Sequence, residues 1–455
     1  MQHFSMIVVV GGGPAGRYAA MRLAGAGREV TLIDRRNGGL GGQCLHQGCM
    51  VICALNDVAR SLDQFESLSR GEAVDSLPTV NFPMLVNRMK ETIGILAGVI
   101  NKETTAAGVN LVSAEARIQG RRIWVDGSEI PAEALVIATG SRPKQPAMVG
   151  ADLPGVYTAY TILSLPAIPK RLTIIGGGAI AVEFAYIFSV FGSHVTLCAR
   201  TRLLREFPIP LEKEAMRDLH RVRIIKQISD ARIIGGDRVE AVNVMTPAGS
   251  VHIKADAVLL ATGMEPASSG ISGIPLGESG EILVNNCMET GVPGVYAAGD
   301  VTGSSWLTPL ARRQGRIAAD TILGIDPPAD LIATPQAVKL KNDLAFCGTF
   351  PEGALTVTIP SPAGPGSFWA VPDRQTGRIS MAVDPDTGKI LGMLEASPYA
   401  SVVAAYHALL MNGGGTVHDL MRFTEVHPSA DGTGWVGRYL AEEITKREET
   451  RDIQA

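Results

Sequence analysis

The sequence predicts an α/β protein: two similar parallel-sheet units followed by a smaller α+β unit. Three observations predict it. A pattern of strand, glycine turn, helix and strand occurs at Met6 to Asp34 and again at Arg171 to Arg200. Each copy is followed by a further apolar run that ends at a glycine, ALVIATG at Gly140 and DAVLLATG at Gly263. Beyond the Pro-rich stretch GIDPPAD, near residue 327, the pattern changes to short strand-like runs separated by turn residues.

In the first copy MIVVV reads as a buried strand, GGGPAG as the turn, RYAAMRLAGAG as a helix packed closely on the sheet, and EVTLID as the second strand. RLTIIGGGAIAVEFAYIFSVFGSHVTLCAR repeats that order. Between the copies a long helix is expected from Phe82 to Gly108, with short strands around Asn110 to Val125. VPGVYAAGDV, Val292 to Val301, reads as a strand running into a loop, and a helix follows from about Thr308 to Leu323. In the last part LTVTIP, FWAVPD and ISMAVDPDTGKILGML read as strands with a hairpin turn at Asp384 to Gly388, and helices are expected at Ala400 to Met411 and Val417 to Arg422. The expected division is a first nucleotide unit at 1–150 completed by about 265–327, a second at 151–264, and a C-terminal unit at 328–455.

Composition narrows the function. With 455 residues, 46% of them hydrophobic and 19% charged, the chain suits a large globular protein, and only the charged tail after Glu442 is expected to be irregular. A net charge of -4 offers no basic field for a polyanion, so neither nucleic acid nor a membrane surface is an expected partner. The apolar run Met6 to Val10 is too short to span a bilayer. Six cysteines are too few for a secreted disulfide scaffold, which points to a reducing cytoplasm and a small-molecule ligand.

Gly11, Gly13 and Gly16 form a Gly-x-Gly-x-x-Gly turn, which lets backbone approach a pyrophosphate and aims a helix N-terminus at it. The turn follows a strand and opens a helix, and Asp34 ends the next strand, where an acid would hold a ribose diol. A merely structural glycine turn is the competing reading. The second copy has Gly176, Gly178 and, in third place, Ala181. Where an acid would favour NAD it has Arg200, Arg202 and Arg205, whose guanidinium groups suit the 2′-phosphate of NADP. The plainer alternative is a solvated basic face. A third signal is GGQCLHQGCM, in which Cys44 and Cys49 lie where a helix begins, so that the Cys49 thiolate gains from the helix dipole. Redox chemistry, metal binding and simple packing all use such cysteines, but no second pair of metal ligands accompanies them.

Taken together these motifs resemble the dimeric flavin disulfide reductases, the family of lipoamide dehydrogenase, glutathione reductase and mercuric reductase, over essentially the whole chain. GGQCLHQGC is similar to the family's redox-disulfide signature, TGVPGVYAAGD to its second flavin motif, LTPLARRQGR to the helix that follows, and FTEVHPS to the strand end with its histidine. The resemblance implies two Rossmann-like domains, for FAD and NAD(P), and a C-terminal α+β dimerisation domain. It assigns Gly42, Gly140, Asp300 and Thr308 to FAD together with the first glycine turn and Asp34. The implied electron path runs from NADPH, with NADH as the alternative, through FAD to a Cys44–Cys49 disulfide. From there it reaches a small disulfide, or runs in reverse from a dithiol. Cys49 would lie nearest the flavin, Cys44 would attack substrate, and His427 of the partner subunit would handle the proton in a homodimer.

The chain departs from the family pattern in places. Met50, Val51, Ile52 and Cys53 stand where the family has Ile-Pro-Ser-Lys, so Glu183, at the position of that lysine's partner, loses its cation. Cys53, one helical turn after Cys49, is either a third redox thiol or apolar filler. Gly432 stands where a glutamate orients the family's histidine, and the adjacent Asp431 is expected to approach from another direction. Gln43 replaces the signature's threonine. Cys198, Cys287 and Cys347 read as buried small residues, and His46 either tunes the thiols or lies on a loop surface. Substrate contacts are expected in the region Ser61 to Leu77 and before His427. Two other functions stay open: reduction of a non-disulfide acceptor such as a quinone, metal ion or C–S electrophile, and a slow-turnover redox sensor or assembly subunit.

Overall fold

The structure, a computed structural model, describes residues 6–36, 39–70, 78–304, 306–372 and 374–454. A buried apolar run needs neighbours on both sides, and Ile7–Val10 finds them at the centre of a five-stranded sheet. The order there is Val295–Ala297, Ala134–Ile137, Ile7–Val10, Val30–Asp34, Asn110–Ser113, with every pairing parallel. With it go α1 (Pro14–Gly25), α2 (Gly42–His46), α3 (Cys49–Arg70) and α4 (Phe82–Ala106). The second copy builds a second parallel sheet, ordered Arg223–Ile225, His194–Cys198, Arg171–Ile175, Ala257–Leu260, Val156–Thr158. Its helices are α5 (Ala179–Val190) and α6 (Ile209–Asp218). In both sheets the chain leaves the central strand to one side and later returns to the other. That reversal opens a crevice at the carboxyl ends of the strands.

The chain then comes back to the first sheet, where α7 (Thr308–Ile322) lies along α1. Only glycine permits this approach: a Cβ on Gly315 would stand 2.1 Å from the Ala15 carbonyl oxygen. Within the first turn, a Cβ on Gly16 would meet the Gly11 carbonyl oxygen at 1.9 Å. The last unit is an antiparallel sheet ordered Gln336–Lys339, Asp343–Gly348, Ile390–Ser397, Arg378–Val383, Leu355–Pro360. It is covered by α8 (Ala400–Asn412), α9 (Val417–Leu420) and α10 (Asp431–Gln454). No described helix is long and apolar enough to cross a membrane.

Three sequence expectations are corrected here. FWAVPD forms no strand: Phe368–Ala370 is a short 3-10 turn, entered through a tight bend in which the Ser367 hydroxyl accepts from the Gly364 N–H. The charged tail after Glu442 is not irregular, because α10 continues to Gln454. Val436, Leu440, Ala441 and Ile444 bury one stripe of that helix, and Lys446 pairs with Glu443 on its exposed side. FTEVHPS is no strand end but the loop between α9 and α10.

The packing of α7 on α1 can be tested directly. Gly315→Ala is expected to push the helices apart and cost about 1–3 kcal/mol, the usual range for overpacking. Urea unfolding of the variant beside the native protein checks it.

Candidate active site

At the first crevice, Gly11 adopts φ +108 and a Cβ there would lie 2.2 Å from the Ala138 carbonyl oxygen, so the turn is closed to any larger residue. Gly13, the N-cap of α1, has no side chain to satisfy the helix's first N–H groups. Above it the nearest atom to an added Cβ would be Gly42 Cα, at 3.8 Å. Space and unspent donors together suit an anion. Gly42, with φ +59, brings the start of α2 against Gly13, and the Gln43 amide approaches Gly140. Asp34 ends its strand beside the turn and accepts the N–H groups of Gly12 (2.6 Å) and Arg36 (2.8 Å). Asp300 accepts a hydrogen bond from the Ser141 hydroxyl at 2.7 Å, while burial pushes its carboxyl pKa up. This donor-rich cradle with an acid at each end could hold FAD, with the glycine turn and helix end suited to a pyrophosphate and Asp34 and Asp300 to sugar hydroxyls.

The second crevice repeats the first. Gly176 (φ +146) would place a Cβ 2.1 Å from the Ala261 carbonyl oxygen, Gly178 opens α5 with nothing within 4 Å of an added Cβ, and Ala181 is buried against the sheet. The three arginines part company. Arg202 gives its guanidinium to the carbonyls of Leu203, Leu204, Arg205 and Phe207, so it knits its own loop instead of facing a ligand. Arg205 pairs with Glu206, both well exposed. Arg200 is exposed and has no ion-pair partner among the described residues.

The two cysteines of the signature sit on separate helices, Cys44 within α2 and Cys49 as the first residue of α3. Both are free thiols in this structure. The Thr308 hydroxyl, on the first turn of α7, lies 3.8 Å from Cys49 Sγ. A hydrogen bond from Cys49 does most to pull the Cys44 pKa down to about 6; burial opposes it, and Thr308 and Arg312 assist. The Cys49 thiol is correspondingly pushed up. In the dithiol the first thiolate therefore forms on Cys44, whereas the helix dipole alone favours Cys49. Thr308, which the family resemblance assigns to the flavin, stands beside the thiols as well. Arg312, one turn later, carries no sequence signal of its own.

Cys53 is half-buried one turn into α3, and burial raises its thiol pKa. Nearby Glu183, from α5, accepts the Lys339 N–H at 3.0 Å. Burial pushes its carboxyl pKa up to about 8, the Lys339 N–H bond and charge opposing this and Cys49 and Asp343 adding to it. The Lys339 ammonium bonds Asp343 and Ser401 instead of the Glu183 carboxylate. Arg60 of α3 completes the group, reaching the Leu340 carbonyl and Asp343. The cation missing from the signature is thus supplied only at a distance, from the third sheet.

His427 is not close-bonded to the thiols of its own chain; its Nδ1 lies 2.6 Å from Asp431 Oδ1, with the imidazole largely exposed. The expectation that Asp431 approaches from another direction is corrected: as the first residue of α10, Asp431 faces back one turn to His427. Burial works to raise the Asp431 pKa, but bonds from His427 and the Ser429 N–H outweigh it and hold it low. His46 is tied by Nε2 to the Leu40 carbonyl at 3.1 Å, and burial lowers its pKa. Cys198 and Cys347 are buried, but Cys287 is only half-buried, in a turn where its N–H donates to Asn285. Of the region Ser61 to Leu77, α3 holds residues up to Arg70, and 71–77 lie outside the described residues.

Comparison with known proteins decides the family. The model of the pyridine nucleotide-disulphide oxidoreductase family matches residues 5–315. The chain belongs to this family. Relatives of the oxidoreductase include dihydrolipoyl dehydrogenase of Mycoplasma pneumoniae, 28% identical over 442 residues, covering 93% of this chain and 95% of that one. Glutathione reductase of Burkholderia cepacia is 32% identical over 324 residues, 70% of this chain and 71% of that one. Among solved structures, the HOCl-induced flavoprotein disulfide reductase RclA from Escherichia coli, in its Cu(II) complex, superposes with a TM-score of 0.81 at 25% identity over 96% of this chain and 98% of that one. The oxidoreductase is thus an enzyme of the flavoprotein disulfide reductase class, whose members bind FAD and use NAD(P)H.

Two outcomes follow for the oxidoreductase. In the reduced protein, the rate of Cys44 alkylation by iodoacetamide is expected to rise with pH around a midpoint near 6, and Thr308→Val, which removes a donor, is expected to move that midpoint upward. Stopped-time alkylation with peptide mapping reads it. Glu183 stays protonated in the folded state up to about pH 8 but ionises in the unfolded chain from the ordinary value of 4.5. Stability contributed by the neutral acid is therefore full below pH 4.5 and drains away up to about 8. Glu183→Gln should remove that loss, so its stability gain grows by up to about 1.4 kcal/mol per pH unit across the window. Denaturant midpoints of the holoprotein at pH 6 and 8 check the slope.

Proposed function

We propose that the protein is an NADPH-dependent reductase of a small disulfide, or the corresponding dithiol oxidase, working through Cys44 and Cys49 as a homodimer in the cytoplasm. The observation that carries this reading is the Cys44 thiol: its low pKa makes it a nucleophile at neutral pH, beside a second thiol that can close a disulfide with it. FAD, when bound, supplies the two-electron relay between the nicotinamide and that disulfide. Gly11, Gly13, Gly16, Asp34, Gly42, Gly140 and Asp300 would hold it. Gly176, Gly178 and Ala181 would seat the nicotinamide nucleotide, with Arg200 and Arg205 at its 2′-phosphate.

With the thiols reduced, Cys44 Sγ attacks one sulfur of the substrate disulfide and the other leaves as a thiolate that takes a proton. Cys49 then displaces the bound half from Cys44, closing the disulfide and releasing the second thiol. Overall, NADPH, one proton and one disulfide become NADP+ and two thiols. The partner's His427 would hold and deliver the proton, oriented by its carboxylate. Dimerisation is supported by the exposed apolar side chains of the C-terminal unit, among them Val426, Trp435 and Tyr439, the last two lining a cavity of about 790 Å³ with Val357, Ile359 and Pro362.

Because Glu183 has no cation on its own helix pair, a second reading, electron delivery to a non-disulfide acceptor such as a quinone, keeps a specific support. Anaerobic titration separates the two. Under the disulfide reading, NADPH is expected to reduce the flavin and release two thiols per chain, and Cys49→Ser to release none. Quinone turnover surviving Cys44→Ser would favour the second. Replacing Arg200 and Arg205 by Met is expected to lower NADPH preference on the order of ten- to a hundredfold, the range for losing a charge-assisted contact; steady-state kcat/KM with NADPH and NADH measures it.

A further inference from the structure

Where α7 lies along α1, two arginines meet one tyrosine. Tyr18, half-buried on α1, has the Arg17 guanidinium 5.9 Å from its ring centre and the Arg312 guanidinium 5.4 Å from it. Within such distances a guanidinium is attracted by the ring face and gives up motion it would otherwise have. The two cations are not equivalent. Arg17 donates to Glu103 at 2.5 Å and to Thr104 at 2.9 Å, so its charge is answered. Arg312 is exposed and has no carboxylate partner among the described residues.

Of the other arginines on these two helices, only Arg316, one turn beyond Arg312 and so farther from Thr308, is also exposed without a carboxylate partner among the described residues. Arg22 pairs with Asp320, and Arg313 donates to the carbonyls of Pro328 and Ala329. Arg312 lies one helical turn beyond Thr308, hence on the same face of α7, and Thr308 is the residue whose hydroxyl reaches Cys49. The charge of Arg312 is felt at Cys44, where it favours the thiolate. An unanswered guanidinium whose charge reaches an attacking sulfur has two kinds of use: tuning that sulfur, or gripping what the sulfur attacks. The exposure of Arg312 argues for gripping: its guanidinium, 5.4 Å from the Tyr18 ring centre, is open to solvent with donors free for a planar anion.

We infer that the disulfide substrate is anionic, and that Arg312, stacked on Tyr18, holds a carboxylate or similar group of the substrate beside Cys44. This rests on the disulfide reading above and adds the substrate's charge to it. Arg312 acts here as a specificity residue: it binds a group remote from the reacting sulfurs and leaves bond making to the cysteines. Only the substrate's thiolates leave, as already balanced, and no further reactant is needed.

Two experiments test the inference by different routes. The first compares the anionic alkylating agent iodoacetate with neutral iodoacetamide on Cys44 of the NADPH-reduced protein and needs no substrate at all. After correction for the intrinsic rates on a free thiol, iodoacetate is expected to be favoured at least fivefold. That preference should vanish in Arg312→Met, reverse in Arg312→Glu and return in part in Arg312→Lys. The second measures kcat/KM at constant ionic strength for three disulfides, 3,3′-dithiodipropionate, bis(2-hydroxyethyl) disulfide and cystamine. The expected order is anionic over neutral over cationic, with at least tenfold between the first two, and in Arg312→Met the gap closes through KM of the anionic substrate. Equal rates for the anionic and neutral reagents in the native protein would overturn the inference, as would an Arg312→Met variant that slows all reagents alike, which is the mark of a thiol-tuning role. If NADPH releases no thiols from the native protein, it is the disulfide reading that has failed; the alkylation comparison, run after chemical reduction, still judges Arg312.

Discussion

The redox site depends on a contact between two stretches of backbone. Gly315 of α7 rests on the carbonyl of Ala15 in α1, and no larger residue can stand there. That contact sets how far α7 extends toward the crevice, and so where Thr308 and Arg312 meet the thiols. It couples the nucleotide turn to the thiols backbone against backbone, beside the Arg22–Asp320 and Arg312–Tyr18 side-chain contacts of the same two helices. Close-packed glycine contacts of this kind have little give, since a shift of a few tenths of an ångström already forfeits dispersion energy or meets repulsion. Placing a reactive sulfur pair against such a seam holds its electrostatic surroundings steady.

The third sheet is the other fixed point. α3 starts with Cys49 and is gripped along its length by the third sheet, through the reach of Arg60 to Leu340 and Asp343. The same segment gives Glu183 its one backbone bond, from Lys339. A pair that would be local, between helices of the first two units, has been replaced by a group spanning all three. Its ammonium is shared with Asp343, so it offsets the carboxyl's burial only in part.

Much of this was legible from residue order. The repeated strand–glycine–helix pattern led to both parallel sheets because a five-residue buried run followed by glycine has few other uses. The signature cysteines and the helix beginning at Cys49 were equally plain. What stayed hidden were contacts with no local trace. Thr308 and Cys49 are separated by 259 positions and Glu183 and Lys339 by 156, and neither pair shares a periodicity. Arg202 misled for a different reason: a strand-end arginine looks the same in sequence whether its donors face a phosphate or the carbonyls of its own turn. FWAVPD misled because exposed aromatics imitate a strand's composition, although Phe368 and Trp369 pack chiefly on each other.

His427 and Asp431 lie one turn apart on the same chain, the histidine just before α10 and the acid at its start. A glutamate in the following helix could have served the same purpose, but this arrangement makes imidazole and carboxylate a single preassembled unit. Folding of one chain is enough to orient the ring and choose which nitrogen carries the proton. Under the proposed homodimer, a partner that receives that imidazole would gain a finished proton carrier, so association need only deliver it and not build it.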